Sequence, residues 1–229
     1  MTYLTHPYER LNNLAKLNSA SRYLEIGLAG GKTFFSVDVP YKVGVDPISR
    51  IDQEDTLTGE TFCFEMTSDV FFSTKAQEHG LFDLIYIDGL HTFEQTFRDF
   101  CCSLRFSHNK TIWLLDDTVP TSWLCAHPDH LFVQRIRKML RIHKRDWMGD
   151  AYKVVLAIHD FFPQFSYATF PIGGQTIVWT ETRNLFKPTW NSLEKITRLG
   201  YREFIQCQNS HLNFIKEERI YSQLPTNLG

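Results

Sequence analysis

A short apolar run followed by a glycine-rich turn constrains this chain more than any other stretch of its sequence. Residues 22–26 read as a buried strand with an acid, Glu25, next to its end, and a helix is predicted to follow the turn. Because glycine has no Cβ, such a turn lets the backbone come close to a bound nucleotide-like ligand. Since Glu25 would repel phosphate, the stretch favours a ligand with a positive or hydrogen-bond-donating end. The residues of this stretch that we expect to contact the ligand are Glu25, Gly27, Leu28, Gly30 and Gly31.

A second acid stands at the distance expected for a ribose-binding residue. Asp46 ends the next apolar run, 42–45, about 20 residues after the glycine turn. In βαβ nucleotide-binding units, an acid at this position accepts hydrogen bonds from ribose hydroxyls. The alternative is that Asp46 only begins a surface turn before Pro47. Because the glycine turn precedes it, we expect Asp46 to contact a ribose.

Apolar runs alternate with helical stretches along most of the chain. Strand candidates lie at 22–26, 42–45, 61–65, 83–87, 111–115, 152–159 and 175–180. The periodicity predicts helices over 8–19 and 92–106, and Thr92 with Gln95 fits a capping box. Strands that alternate with helices predict an α/β fold with a mostly parallel sheet covered by helices on both faces. The last two candidates, joined through 160–174, predict an antiparallel hairpin at one edge of the seven-stranded sheet.

We expect one domain over residues 1–229. Residues 1–20 would form an N-terminal helical extension, 20–180 the core and 181–229 a C-terminal appendage. The appendage is predicted to hold a helix around 192–199 and one more strand.

Carboxylates stand at the ends of the fourth and fifth strand candidates. Asp88 ends one apolar run and is followed three residues later by His91, while Asp116 and Asp117 end the next. Because ligands bind outside the carboxyl ends of the strands in such sheets, we expect these side chains to meet at one rim. Three carboxylates there would repel one another unless a cation or a proton intervenes. A hard divalent ion, magnesium most simply, would relieve the repulsion and lower the pKa of a substrate hydroxyl, and His91 would serve as the general base.

Plainer roles exist for the same residues. Asp88 could bind the cofactor or cap the following helix, since carboxylates favour helix N-termini. Asp116 and Asp117 could form a solvated turn, and His91 could be structural.

Two loops are further candidates for the ligand site. In the loop after the third strand, Met66 would pack on an adenine and Thr67 or Ser68 could hydrogen-bond it, although Ser68 is equally a plain helix N-cap. Residues 147–153, with an aromatic residue and a glycine, suit either a loop near the pocket mouth or a packed connector.

Over residues 20–180 the chain resembles the class I S-adenosylmethionine-dependent methyltransferases, on the glycine turn, Asp46 and the motifs at 87–91 and 114–117. Within them it is similar to the branch that includes metal-dependent sugar O-methyltransferases of macrolide biosynthesis. The resemblance implies a Rossmann-like doubly wound fold and S-adenosylmethionine as cofactor, whose ammonium, sulfonium and ribose suit Glu25 and Asp46. It also implies a magnesium-like ion at Asp88, Asp116 and Asp117, with His91 as the base, and a small-molecule hydroxyl as the acceptor.

Three other function classes compete with this interpretation. Gly30, Gly31, Lys32 and Thr33 imitate the end of a P-loop, but the first glycine of that motif would fall on Ile26. An NAD-dependent oxidoreductase shares the glycine turn and the ribose acid but leaves the later carboxylates unexplained. A non-catalytic binding module with the same fold also fits.

Composition indicates an ordinary globular chain. Of the 229 residues, 43% are hydrophobic and 22% charged, which suffices for one substantial core, and the net charge of −2 offers no global field to attract nucleic acid or an anionic membrane. No apolar run reaches the roughly 20 residues that a bilayer-spanning helix needs. With five cysteines and no Cys-x-x-Cys spacing, we expect reduced thiols and a cytoplasmic protein without nucleic-acid or membrane partners, and an oligomer is possible.

Overall fold

A seven-stranded sheet forms the centre of the fold in the computed structural model, which describes residues 6–48, 50–51, 60–143 and 146–224. The strands are β1 Arg22–Ile26, β2 Tyr41–Asp46, β3 Thr61–Glu65, β4 Phe82–Ile87, β5 Ser107–Leu115, β6 Phe165–Thr169 and β7 Thr176–Thr180. The helices of the described chain are α1 Pro7–Asn18, α2 Lys32–Ser36, α3 Ser68–Thr74, α4 Phe93–Ser103, α5 His130–Leu140, α6 Lys153–Phe161, α7 Leu193–Arg198, α8 Tyr201–His211 and α9 Glu217–Gln223. Two short 3₁₀ segments, Ala76–His79 and Leu104–Phe106, follow α3 and α4.

The order of the strands confirms the predicted fold class. The sheet runs β3–β2–β1–β4–β5–β7–β6, with β1 to β5 parallel and β7 antiparallel to both β5 and β6. The hairpin of β6 and β7 therefore closes one edge. Since β1 and β4 are neighbours and connections leave them in opposite directions, their carboxyl ends flank the crevice where doubly wound sheets bind ligands.

Helices cover both faces of the sheet, as predicted. One face packs Leu11 and Leu14 of α1 and Ile220 of α9 against the strands. The other face packs against α3, α4, α6 and α8, with Phe100 and Phe204 among its fully buried side chains. Within the described residues, no helix has the length and apolar character that a bilayer crossing requires.

The predicted strand over 152–159 is wrong, because these residues begin helix α6. The run contains β-branched Val154, Val155 and Ile158, which favoured a strand, but a short continuous apolar run does not distinguish a strand from a helix buried on all sides. Residues 153–158 are all buried, and the helix ends two residues before Pro163, which cannot continue it. The edge hairpin is real, but its first strand is β6, inside the segment 160–174 that was predicted as the connector.

The helix predictions agree with the structure more closely. The predicted helices over 8–19 and 92–106 correspond to α1 and to α4 with its 3₁₀ extension, and α7 lies within 192–199. The Oγ1 atom of Thr92 accepts a hydrogen bond from the backbone N–H of Gln95 at 3.4 Å, while the Gln95 side chain turns elsewhere, so half of the capping box forms. In the described part of the appendage, 181–224, no further strand is present, and an isolated bridge joins Phe214 to Thr169.

Candidate active site

A cavity of about 480 Å³ opens at the carboxyl ends of β1, β2 and β4. Among its lining residues are eight that the sequence predicted for the site: Glu25, Gly27, Leu28, Gly30, Asp46, Ser68, Asp88 and His91. Thr67, the predicted alternative to Ser68, also lines it, and so do Asp69, Gln95 and Asp99, which were not predicted. The glycine turn and the first acid of the acidic motif therefore face one cavity.

Gly27 allows the ends of β1 and β4 to approach each other. Its φ is +95°, and a Cβ at this position would overlap the backbone carbonyl oxygen of Asp88. The backbone N–H of Asp88 donates to the carbonyl of Ile26 at 2.8 Å, so the two strand ends are joined there. Gly30 is open to the cavity, whereas Gly31 is buried against Phe35 and is not among the lining residues.

Asp46 holds the glycine turn in place. Its Oδ2 atom accepts hydrogen bonds from the backbone N–H groups of Leu28 and Ala29, both at 2.9 Å, and its Oδ1 atom accepts from that of Ile48 at 2.8 Å. Asp46 also lines the cavity. The carboxylate thus shapes the glycine turn, and a ribose contact from it remains a prediction.

Glu25 is a buried acid that lines the cavity. Its side chain is almost fully buried, and the hydroxyl of Tyr23 donates a 2.6 Å hydrogen bond to it. Burial raises the pKa of Glu25 to about 8, although the Tyr23 hydrogen bond acts in the opposite direction. A cationic ligand group would restore the charged form, because opposite charges lower a carboxyl pKa.

The wall between α3 and α4 contains polar residues that sequence reasoning missed. The Nε2 atom of Gln95 donates to Ser68 at 3.2 Å and to Asp99 at 3.0 Å. Burial raises the pKa of Asp99 to about 6. Thr67 rather than Ser68 caps α3, and Met66 packs against the hydrophobic core and is not among the lining residues. The four-residue spacing of Gln95 and Asp99 on one helix is the signal that could have revealed them.

Asp88, His91 and Asp117 converge at the rim of the cavity. The Nδ1 atom of His91 lies 2.7 Å from Oδ2 of Asp117 and 3.8 Å from Oδ1 of Asp88. One nitrogen or oxygen atom from each of the three residues lies within 4.8 Å of the others, so these atoms can surround a metal ion. The three side chains are between 16% and 32% exposed, and Asp88 and His91 line the cavity.

Asp116 lies outside this group, so the structure brings together two of the three predicted metal-binding carboxylates. The hydroxyl of Tyr86 and Nε2 of Gln175 both donate to Oδ2 of Asp116, the latter at 3.0 Å. Its Oδ1 atom accepts from the backbone N–H of Asp117 at 2.8 Å. Asp117 itself contacts His91, so the two acids are not a solvated turn.

The carboxylates at this rim disfavour one another's charge. Burial and the neighbouring carboxylates raise the pKa of Asp88, and burial together with the charge of Asp117 raises that of Asp116 to about 6. Because the acids repel, a cation bound among them would be stabilised by the same charges.

The loop between α5 and α6 packs against His91. Gly149 has a φ of +56°, and a Cβ on it would overlap the carbonyl oxygen of His91. The ring of Trp147 meets the His91 imidazole edge-to-face with 5.4 Å between centroids, and Oδ1 of Asp150 accepts from the backbone N–H of Phe93 at 2.7 Å. The segment 147–153 therefore lies beside the candidate catalytic group.

His91 is not the cap of the helix that follows it. Thr92 caps α4 with its own side chain, and His91 precedes it with a φ of +59°. A non-glycine residue in this left-handed region is uncommon and costs about 1–3 kcal/mol, a strain that concentrates at functional sites.

Comparison with known proteins shows what this chain is similar to. Residues 24–118 match the family model of a methyltransferase domain. No curated protein sequence matches the chain. A candidate caffeoyl-CoA O-methyltransferase from Staphylococcus aureus superposes with a TM-score of 0.54 at 12% identity, covering 79% of this chain and 85% of that one.

Two further solved structures were obtained with ligands. An O-methyltransferase from Bacillus cereus in complex with S-adenosylhomocysteine gives a TM-score of 0.50 at 16% identity, covering 78% of this chain and 82% of that one. The other is the MycE methyltransferase of the mycinamycin biosynthetic pathway, in complex with magnesium, S-adenosylhomocysteine and mycinamycin VI. It gives a TM-score of 0.51 at 16% identity, covering 83% of this chain and 54% of that one. At these identities the likeness establishes a shared fold. With the family match, it confirms the predicted resemblance to class I S-adenosylmethionine-dependent methyltransferases.

Proposed function

We propose that this chain is an S-adenosylmethionine-dependent O-methyltransferase that acts on a small-molecule hydroxyl with the help of a divalent metal ion. One observation carries the proposal: the glycine turn with Glu25 and Asp46 lines the same cavity as Asp88 and His91, which meet Asp117 at its rim. The candidate cofactor site therefore lies next to a group of side chains that could remove a proton.

The cofactor assignment rests on the charge of the cavity. Glu25, Asp46 and Asp88 line it together with backbone of the glycine turn. Burial raises the pKa of Glu25 and of Asp88, and a cation beside these two acids would restore their charged form, whereas a phosphate would oppose it. S-adenosylmethionine has no phosphate and carries two positive centres that suit an acidic cavity. Its sulfonium supplies the activated methyl group.

The residues at the rim fit a hard divalent ion. Asp88 and Asp117 provide carboxylate oxygens, which magnesium prefers, and His91 lies in the same group, beside the position that the ion would take. A bound divalent ion would lower the pKa of an acceptor hydroxyl. Asp116, which is held by Tyr86 and Gln175, would support Asp117 rather than bind the ion directly.

His91 is placed to remove the acceptor proton. Because Nδ1 faces the Asp117 carboxylate at 2.7 Å, we assign the ring proton to Nδ1, which leaves Nε2 as the basic atom. The acceptor hydroxyl would give its proton to Nε2, and its oxygen would bond to the methyl carbon as the carbon–sulfur bond breaks and S-adenosylhomocysteine leaves. In this assignment His91 acts as a base and not as a metal ligand.

Parallel ligand binding tests the cofactor assignment. Thermal shift and calorimetry with S-adenosylhomocysteine, ATP and NAD should give stabilisation by S-adenosylhomocysteine alone, because a ligand that binds the folded state raises its stability. Incubation with S-adenosylmethionine and a panel of hydroxyl-bearing acceptors, with S-adenosylhomocysteine formation as the readout, tests the reaction. Binding of ATP or NAD without S-adenosylhomocysteine would contradict the proposal.

A further inference from the structure

A chain of buried polar side chains connects the acidic rim to the first and last helices of the described chain. The hydroxyl of Tyr86 lies between Asp88 and Asp116, 3.3 Å from Oδ2 of Asp88 and in hydrogen-bond contact with Oδ2 of Asp116. On the other side of Asp116, Nε2 of Gln175 donates to the same Oδ2 atom at 3.0 Å. The Oε1 atom of Gln175 in turn accepts from the guanidinium of Arg10 in α1.

The amide of Gln175 matches the charges on its two sides. A carboxamide offers an acceptor at one end and a donor at the other, and here the acceptor faces a cation and the donor faces a carboxylate. The flipped amide would place NH₂ against the guanidinium and oxygen against the carboxylate. Gln175 is only 2% exposed, so no solvent would relieve that mismatch.

Arg10 is itself fixed in one orientation. Its Nη2 atom donates to Glu217 of α9 at 3.1 Å and to the carbonyl of Ile172 at 3.2 Å, and its guanidinium lies over the ring of Phe170, 3.9 Å from the centroid. Its side chain is 4% exposed. An arginine held on several sides in this way gives Gln175 a fixed partner.

The chain ends at the turn that orients Asp117. Asp116 accepts the backbone N–H of Asp117 at 2.8 Å, and Asp117 has a φ of +58° while its carboxylate faces His91. We propose that Arg10 and Gln175 are positioning residues: they hold Asp116, and through it the left-handed turn that aims Asp117 at His91. We define these two residues and Asp116 as the brace.

This inference rests on the proposed function for its purpose, since Asp117 and His91 are the groups that the brace would place for methyl transfer. Its geometry does not depend on a bound metal or cofactor, so it can be tested without either. Residues that hydrogen-bond to metal ligands fix the orientation of those ligands, and their loss lowers metal affinity or activity.

The decisive readout is the imidazole of His91 in the chelator-treated protein. The protein is labelled with ¹⁵N-histidine, its ring-nitrogen signals are recorded at one fixed pH, and the His91 signals are assigned from His91→Gln. We expect both Gln175→Leu and Arg10→Met to shift the His91 signals, because each removes one link of the brace. If Gln175→Leu fails to fold, Gln175→Asn, which keeps the amide but shortens the side chain, serves in its place.

The matched control is Arg22→Met. Arg22 also lies over an aromatic ring, 3.8 Å from the Tyr41 centroid, and donates to a backbone carbonyl, that of Leu81 at 2.9 Å, but it has no contact with the acidic rim. Its loss should lower the melting temperature without moving the His91 signals. His91 signals that stay at the wild-type position in folded Gln175→Leu and Arg10→Met would overturn the proposal, as would an equal shift in Arg22→Met.

A second measurement separates this inference from the proposed function. Mn²⁺ binding followed by electron paramagnetic resonance should weaken about 10–100-fold in Gln175→Leu, the range for lost supporting residues. S-adenosylhomocysteine affinity, measured by calorimetry, should stay within about twofold of wild type. A wild-type protein that binds neither ligand would contradict the proposed function, while the His91 signals would still decide whether the brace exists.

Discussion

The imidazole of His91 and the carboxylate of Asp117 form a close pair, with 2.7 Å between Nδ1 and Oδ2, although 26 positions separate them in sequence. Both residues have positive φ angles, +59° and +58°. Neither is glycine, so both turns carry strain that the surrounding structure must hold. Gly149 packs on one turn and Asp116 accepts the backbone N–H within the other, and these contacts make the pair a fixed feature of the site.

The pair predicts a specific loss of turnover on removal of the imidazole. His91→Ala should lower kcat by about 10²–10⁴-fold, the usual contribution of a positioned base, and leave S-adenosylhomocysteine affinity nearly unchanged. Steady-state kinetics and calorimetry on the same preparation measure the two quantities. Turnover at the wild-type level would show that His91 is not the base.

The two adjacent acids should differ in their effect on metal binding. Asp117 belongs to the group that can surround an ion and Asp116 does not, so Asp117→Asn should weaken Mn²⁺ binding more than Asp116→Asn. Electron paramagnetic resonance titration of both variants gives the comparison. The reverse order would favour a site in which Asp116 is a direct ligand, as the sequence predicted.

Gly149→Ala should disturb His91 through the backbone. The added Cβ would overlap the carbonyl oxygen of His91, so we expect a lower kcat and a stability loss beyond the ~1–2 kcal/mol of a left-handed alanine. Gly80→Ala is the control for kcat, because Gly80 also has a positive φ, +69°, but lies at the end of the 3₁₀ segment, where its Cβ would meet only the Arg22 side chain at 3.7 Å. A wild-type kcat in Gly149→Ala would mean that Gly149 does not support the site.

Asp46→Ala should weaken cofactor binding by removing the acceptor that shapes the glycine turn. The carboxylate accepts from the backbone N–H groups of Leu28 and Ala29, and the loss of a charged hydrogen-bond partner costs about 1–3 kcal/mol. Calorimetry with S-adenosylhomocysteine should show a corresponding fall of about 5–150-fold. Wild-type affinity would indicate that the turn keeps its shape without Asp46.

Local patterns predicted the first five strands and the acids at their ends, because in parallel sheets an apolar run and its terminal polar residue lie next to each other in sequence. Local patterns did not predict the parts of the site that depend on contacts between residues far apart in sequence. Asp116 appeared equivalent to Asp117 until Gln175, 59 residues later, was seen to hold it. Gly149 and His91 meet through a loop whose course no local pattern encodes. The error at 152–159 has a different cause, since a fully buried helix shows no polar face to reveal its period.

Stability should depend on pH through Glu25. Its pKa rises from the usual 4.5 to about 8 in the folded chain, mainly because of burial. Between these values the folded state binds more protons than the unfolded state, so the free energy of unfolding falls as pH rises, by at most about 1.4 kcal/mol per pH unit. The stability that the protonated Glu25 contributes to the folded state is fully present below about pH 4.5 and is lost as the pH passes about 8. Glu25→Gln, which resembles the protonated acid, should remove this dependence.

Melting curves of wild type and Glu25→Gln from about pH 5 to about pH 9 test this linkage, since stability follows the difference in bound protons. The variant should gain stability relative to wild type towards the alkaline end. Glu194→Gln is the control, because Glu194 is 70% exposed and its exposed ion pair with Arg198 is worth little. The ammonium group of S-adenosylhomocysteine would pair with the ionised carboxylate, so the affinity of the wild type for this ligand should rise over the same range and that of Glu25→Gln should not. Parallel curves for wild type and Glu25→Gln would show that Glu25 is ionised throughout.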